Sequence, residues 1–274
     1  MSSITLNNGV TIPQVGYGVF QIPAADAQRM TEAALAAGYR HIDTAAGYQN
    51  EEGVGLGVRE SGVPRSEVFV TTKLWNADQG YEKALRAFEV SRSRLGFDYI
   101  DLYLIHFPVP QRRLYAETWK ALEKLYADGL VRAIGVSNFK FPYLDRLLAT
   151  ADVVPAVHQI EVHPTYQQAE LEALTRAHGI AIEAYSPLGR GADLQSDVIT
   201  SIAARFDVSS AQVIIRWHLQ RGRVVLPKSA SIERLAANLD TNGFELTEED
   251  LMAIEGLEQG LRTGEDVETF DEPA

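Results

Sequence analysis

Hydrophobic positions along the chain follow two periods in turn. Short apolar runs, or alternations with a period of two, fall near residues 14–18, 39–42, 67–72, 99–105, 131–136, 156–160, 180–184 and 223–226, the spacing of β-strands. Between them, apolar residues recur every three to four positions near 25–37, 51–60, 80–94, 112–128, 140–149, 168–178 and 231–238, with a helix pair near 197–220, which is helical spacing. Strict alternation predicts a parallel sheet, and eight strand–helix units without a linker predict closure into a single (β/α)8 TIM barrel spanning residues 1–274. Ahead of it, Ile4-Thr5-Leu6 and Val10-Thr11-Ile12 flank Asn7-Asn8-Gly9, a hairpin signal that predicts a two-stranded plug at one end. Extra helices are expected near the C-terminus, one of them over 245–256, before an irregular acidic tail from Gly260. No fixed-period repeat or low-complexity segment interrupts the pattern.

Charge narrows the partners. The 274 residues carry a net charge of −12, against the basic face that nucleic acid or an anionic membrane requires. No apolar run approaches the roughly 18 residues that span a bilayer, and Met1-Ser2-Ser3-Ile4 lacks the features of a signal peptide. With no cysteine, a disulfide framework, a thiol nucleophile and a thiolate metal site are all excluded. A cytoplasmic protein is expected, and a monomer, since no apolar stripe is left over.

The period of two then selects the chemistry. Leu102, Leu104 and His106 share a strand face, as do Phe69, Thr71 and Lys73, so each row ends on an ionisable group. Asp43 follows the strand 39–42 directly, and Tyr48 sits in the small-residue loop behind it. Gln159 ends the sixth strand, Tyr185 the seventh, and Lys228 follows the eighth. A lone histidine or lysine at a strand end is commonly structural or solvated. Here four such groups leave successive strands of one barrel, whose carboxyl ends house the chemistry of such folds. A phenol titrates near 10, so Tyr48 needs a cation beside it to release a proton at neutral pH. Lys73 supplies that cation, and Asp43 keeps the buried ammonium charged. Tyr48 becomes a general acid for a developing alkoxide, and His106 adds a second hydrogen bond to the same oxygen. Such an oxyanion site holds no protein nucleophile, which suits hydride from a reduced nicotinamide.

The segment Leu226-Pro227-Lys228-Ser229-Ala230-Ser231-Ile232-Glu233-Arg234 puts two cations and two hydroxyls around a helix start, an anion site that suits the 2′-phosphate of NADP. An ordinary capped helix with a solvated face is the plain alternative. Gly53-Val54-Gly55-Leu56-Gly57 has the wrong glycine spacing and the wrong context for a dinucleotide cradle, and reads instead as a helix packing closely. His158 and His163 face opposite sides, so no metal site is expected.

The stretches GYRHIDTA, TTKLWN, DLYLIHFP, IGVSNF, HQIEVHP and LPKS…R…N together resemble the aldo-keto reductases over essentially the whole chain, with VGYGVFQIP and EEGVG nearest to bacterial 2,5-diketo-D-gluconate reductase-like members. The resemblance implies NADPH-dependent reduction of aldehydes and ketones, keto-sugar acids or small dicarbonyls among them. It implies Asp43, Tyr48, Lys73 and His106 as a catalytic tetrad with Tyr48 the proton donor. It assigns Ser137, Asn138 and Gln159 to the nicotinamide carboxamide and Tyr185 to its ring. Lys228, Ser229 and Arg234 would hold the 2′-phosphate, with Asn238 near adenine, and Ser231 stands with them among the expected cofactor contacts. Gly18, Val19, Ser186, Leu188 and Gly189 complete the expected cofactor contacts, and Phe20, Trp75, His106 and Phe107 the substrate contacts. Phe107 stands where many relatives carry Trp, and Ala237 where many carry Glu. The tail after Gly260 is short, so one pocket wall is expected to be open. Two rival functions are a Schiff-base lyase with Lys73 as nucleophile and a non-catalytic NADP(H) sensor.

Overall fold

In the computed structural model, which describes residues 2–271, two antiparallel strands come first, β1 (Ser3–Thr5) and β2 (Thr11–Pro13). Barrel units follow in strict alternation: β3 (Tyr17–Gly18), α1 (Ala24–Ala36), β4 (His41–Asp43), α2 (Glu51–Glu60), β5 (Phe69–Leu74), α3 (Tyr81–Leu95), β6 (Ile100–Ile105) and α4 (Tyr115–Ala127). Next are β7 (Val131–Ser137), α5 (Phe141–Leu148), β8 (Val157–Glu161), α6 (Ala169–Ala177), β9 (Ala181–Tyr185), α7 (Asp197–Phe206), α8 (Ser210–Gln220) and β10 (Val224–Leu226). The chain ends with α9 (Ile232–Leu239), α10 (Glu248–Glu255) and a tail without regular structure. Met1 and residues 272–274, part of the expected single domain, lie outside the described residues.

Strands β3 to β10 pair in parallel and in sequence order. A parallel bridge between Val15 and Val225 joins the two edges, with Gly16 N donating to Val225 O at 2.9 Å and Val225 N to Gln14 O at 2.8 Å. Closure removes both sheet edges, so the expected barrel forms. The hairpin plugs its amino-terminal end: Leu6 and Ile12 pack with inward residues Phe69, Leu102, Leu104, Val157 and Val224. Outward residues of the same strands, such as Ile134 and Val136 on β7, pack under the helices.

Helix α1 shows why the ring is tight. It buries Ala27, Met30, Thr31, Ala34 and Leu35, the i, i+3, i+4, i+7, i+8 stripe of an amphipathic helix. Against it lies α2, and a Cβ on Gly53 would come within 2.8 Å of Ala27 Cβ, one on Gly57 within 2.6 Å of Thr31 Cβ. Those two glycines therefore serve close helix packing. Among the described residues, no single helix is long and apolar enough to cross a membrane, and no cluster of His, Asp and Glu has metal-ligand geometry. His163 falls just outside β8 and bonds Asp193 at 2.8 Å and Glu161 at 3.1 Å, while His158 bonds Thr175 at 3.1 Å.

Candidate active site

The carboxyl ends of the strands open into a cavity of about 280 Å³, where a barrel collects its chemistry. Parallel register sets who meets whom. Asp43 on β4 is the partner of Thr71 on β5, and Lys73 two residues on is the partner of Leu104 on β6, whose chain continues to His106. The Tyr48 loop is a short 3₁₀ turn, Ala46–Tyr48. Buried Asn50 anchors it, accepting from Thr44 Oγ1 at 2.8 Å and donating to the carbonyls of Val19 and Ile22 at 3.0 and 3.1 Å.

The expected tetrad assembles. Lys73 Nζ, wholly buried, donates to both Asp43 oxygens at 2.7 and 2.9 Å, to Thr44 O at 2.9 Å and to Tyr48 Oη at 3.5 Å. Burial alone favours the neutral amine, but Asp43 and Tyr48 outweigh it and lift the Lys73 pKa above its ordinary value, so the ammonium persists. Burial likewise raises the Tyr48 phenol, while Lys73 pulls it down. Tyr48 thus stays protonated, beside a fixed cation that stabilises its phenolate. His106 lies edge-on to Tyr48, ring centroids 5.6 Å apart. Burial and the Lys73 charge hold its pKa well below the usual range, so the imidazole is neutral. Its Nδ1 is buried without a partner, which leaves the other nitrogen for the cavity. Asp43, Tyr48 and His106 line the cavity, and Lys73 stands behind them.

The expected cofactor residues divide. Gly18, Ser137, Asn138, Gln159, Tyr185, Ser186 and Lys228 reach the cavity. Asn138 Nδ2 donates to His106 O at 3.0 Å and Ser137 Oγ at 3.1 Å, and its oxygen accepts from Tyr185 Oη at 2.6 Å. Asn138 and Ser186 hold left-handed backbone, φ 63° and 47°, strain of the sort found where a site fixes a side chain. Lys228 and Arg234 are exposed, and neither has an ion-pair partner among the described residues. Asn238 is buried on the inner face of α9 beside Leu235.

Other expected contacts are placed elsewhere. Val19 lies in the core, its N donating to Asp43 O at 3.0 Å. Leu188 packs on the cluster under α7 and α8. Gly189 is buried so close to Asp193 and His163 that no Cβ fits. Ser229 Oγ is engaged with Ser231, donating to its carbonyl at 2.9 Å and accepting from its N at 3.0 Å, and Ser231 Oγ turns to Glu233 at 2.9 Å. These hydroxyls serve the turn into α9. Of the side chains of that segment named for a phosphate, the two cations are the ones left with free donors.

Phe20, Trp75 and Phe107 also line the cavity. Trp75 stands edge-on to His106 at 5.3 Å, and Phe107 stacks on it at 5.0 Å. The expected open wall is closed. Residues 257–271 return across the barrel mouth, and Phe270 packs on Phe107 and Trp75 with centroids at 4.6 and 6.0 Å. Glu265 lines the same cavity. The physical reason is Glu161, at the end of β8, which accepts from Thr263 N at 2.7 Å, Thr263 Oγ1 at 2.6 Å and Gly264 N at 2.9 Å. Arg112 and Lys140 add ion pairs to Asp271 and Glu268. Nothing local in the tail announces these partners, which lie more than a hundred residues upstream. Arg190, also in the lining, sits one residue beyond the segment named from the sequence and was within its reach.

Comparison with known proteins follows the same lines. Residues 14–259 match the Aldo/keto reductase family. The chain is 52% identical over 268 residues to an aldo-keto reductase of Mycolicibacterium smegmatis, covering 98% of each chain. It is 50% identical to the glyoxal reductase of Bacillus subtilis, over 96% of this chain and 95% of that one. Among solved structures, a mutant of Gox0644 in complex with NADPH superposes with a TM-score of 0.94 at 44% identity, covering 98% of each chain.

Proposed function

The chain belongs to the aldo/keto reductase family, and we propose that it uses NADPH to reduce small uncharged aldehydes and ketones, α-dicarbonyls among them, with Tyr48 as general acid. One observation carries the reading: a buried Asp43–Lys73 pair reaches Tyr48 Oη at 3.5 Å, opposite a neutral His106, at the mouth of the cavity. NADPH, when bound, supplies hydride. Every other part of the chemistry belongs to this chain. Tyr48 and His106 hold the carbonyl oxygen between two donors, so charge developing there meets groups already oriented for it. Tyr48 then passes its proton to that oxygen, and Lys73, still ammonium, stabilises the phenolate left behind. Ser137 and Gln159 would hold the nicotinamide carboxamide, and Lys228 and Arg234 the 2′-phosphate. A relative solved with NADPH supports that cofactor. Ser137, Asn138 and Gln159 line the same cavity, so a nicotinamide held by them would have to enter before the substrate.

The substrate side supports uncharged compounds over keto-sugar acids such as 2,5-diketo-D-gluconate. Phe20, Trp75, Phe107 and Phe270 give it aromatic walls, its one outlying charge is the carboxylate of Glu265, and the cations Arg190 and Lys228 follow the strands assigned to the cofactor. A relative named glyoxal reductase supports the dicarbonyls. The lyase alternative fits poorly, because Lys73 is fully buried, kept charged and engaged by Asp43 and Thr44. An intact tetrad argues against the sensor.

The test is loss of reduced-nicotinamide absorbance, with NADPH and NADH, against methylglyoxal, a nitrobenzaldehyde, an aliphatic ketone and 2,5-diketo-D-gluconate. NADPH-selective turnover that favours the uncharged compounds is expected. Binding of NADPH with no turnover on any of them would restore the sensor, and preference for the keto-acid would overturn the substrate class.

A further inference from the structure

Between the apolar floor of the barrel and the tetrad lies a polar layer that the reaction above leaves unused. Inward positions of neighbouring strands bring together His41 on β4, Thr71 on β5, Gln159 on β8 and Glu183 on β9. Gln159 and Glu183 are direct partners in the parallel β8–β9 register. Room for the His41 ring depends on Gly16, where a Cβ would fall 2.6 Å from its Nδ1.

Glu183 is fully buried. Its Oε2 accepts from Gln159 Nε2 at 2.7 Å, and its Oε1 has no hydrogen-bond partner. The imidazole nearest to Oε1, His41, is 3.6 Å away and offers no charge, because burial drives its pKa down to about 3. A carboxyl with one hydrogen bond and an orphaned oxygen is an expensive thing to bury, and floor packing alone would favour an aliphatic side chain here.

The amide of Gln159 gives it a purpose. The same Nε2 also donates to Asp43 Oδ2 at 2.9 Å. Asp43, paired with Lys73, is an acceptor only, so the atom facing it must be the nitrogen. Both amide hydrogens are then engaged by carboxyl oxygens, one on each side. The carbonyl oxygen of Gln159 is left as a bare acceptor, on a residue that lines the cavity.

We propose that Glu183 is a positioning residue that fixes the Gln159 amide with its oxygen toward the cavity, where it accepts the carboxamide N–H of nicotinamide. The assignment rests on the cofactor reading above and extends it to a residue that touches neither cofactor nor substrate. Glu183 also ties the cofactor grip to the tetrad, since one nitrogen serves it and Asp43 together. The groups facing it are Asp43 and His41 from β4, Thr71 and Lys73 from β5, Gln159 from β8 and Tyr48 from the loop after β4; β10 presents apolar Val224. Burial and the Asp43 charge push the Glu183 carboxyl up to about 8, against Gln159 and Lys73. Below that pH the layer holds one anion beside Lys73. Above it a second negative charge appears and opposes phenolate formation on Tyr48.

The test compares the wild type with Glu183→Gln and Glu183→Leu, titrated with NADPH and with its reduced 3-acetylpyridine analogue, whose acetyl group has no N–H to donate. A wild-type preference for NADPH of about fivefold to tenfold is expected from one hydrogen bond. Glu183→Gln keeps it, because the new side-chain oxygen accepts the same bond. Glu183→Leu loses it while still choosing NADPH over NADH, whereas a merely structural defect would weaken both nucleotides equally. Retention of the preference in Glu183→Leu, or equal loss in both variants, would overturn the assignment. Should Glu183→Leu fail to fold, Glu183→Met, close to glutamate in size but without a strong acceptor, takes its place in the same titration and is read against the same two outcomes. Wild-type protein that binds neither nucleotide would instead sink the cofactor reading itself.

Discussion

Asp43, Lys73 and Gln159 stand on strands whose positions are fixed by parallel backbone pairing, whereas residues 257–271 carry no helix or strand and, beyond two backbone bonds to Thr165 O, are fastened to the barrel by side chains. Both regions border one cavity. The strand-borne layer keeps a buried ion pair within 2.7 Å because neighbouring strands hold both partners, and a buried pair is useful only where geometry is that well kept. The tail depends on buried Glu161 and His163 and on Arg112 and Lys140 nearer solvent, whose ion pairs contribute little each. The difference assigns the chemistry to the barrel and the shape of the substrate wall to the tail, and it can be broken from either side.

The largest effect should come from the barrel. Lys73→Met leaves Asp43 buried without its partner and Tyr48 without its cation. We expect kcat to fall by about 10³ and stability by about 3–5 kcal/mol, while the tail's contacts persist. Near-normal turnover would mean that Tyr48 does not depend on Lys73.

Phe270→Ala should do the opposite. It removes one half-buried ring from Trp75 and Phe107, so KM for an aromatic aldehyde should rise roughly tenfold, with kcat changed less than about threefold. A fall in kcat with KM unchanged would place the tail in the chemistry after all.

Protonation should loosen the tail at both extremes. Burial raises the Glu161 carboxyl, but bonds from His163 and Thr263 overcome it and bring the pKa down to about 2. Burial lowers His163, and Asp193 and Glu161 overcome it and lift it to about 9. The depressed carboxylate contributes fully above its ordinary value of 4.5 and is lost as pH falls through about 2. The raised imidazole contributes fully below 6.5 and is lost as pH rises through about 9. The tether is therefore tightest between the two ordinary values. KM for the aromatic aldehyde should climb severalfold toward pH 9 in the wild type and be flat over the same range in His163→Gln. A flat wild-type profile would remove His163 from the tether.

Glu265→Gln should produce the smallest change. Rates with uncharged carbonyls should move by less than about twofold, and the handicap of an anionic substrate should shrink by about threefold, the scale of one screened charge.

The same contrast governs what could be read in the sequence. Strand and helix alternation, barrel closure and the hairpin plug were all legible, because period and punctuation are local. The meeting of Lys73 and His106 was legible for the same reason: a polar residue ending an inward apolar row marks a strand end of a closed barrel, and Asp43 with the Tyr48 loop was read from the strand end beside them. Glu183 obeys that rule, sharing the face of Tyr185 two residues before it, and was visible in principle as a charge inside an apolar row. Phe270 and Glu265 were not. Their places depend on Glu161 meeting Thr263 and Gly264 across 102 and 103 residues, and no periodicity encodes such a contact. Ser229 and Ser231 were legible as hydroxyls at a helix start, yet their hydrogen bonds run to one another and to Glu233, a choice set by local turn geometry.

The most direct test of the account is Tyr48→Phe, followed by reduced-nicotinamide absorbance for turnover and by fluorescence titration for NADPH affinity. The account predicts turnover reduced by at least about 10³ with the NADPH Kd within a few-fold of wild type, since the lost hydroxyl donates to the carbonyl oxygen and to nothing on the cofactor. Turnover close to wild type would contradict it, because the proton would then be coming from somewhere else.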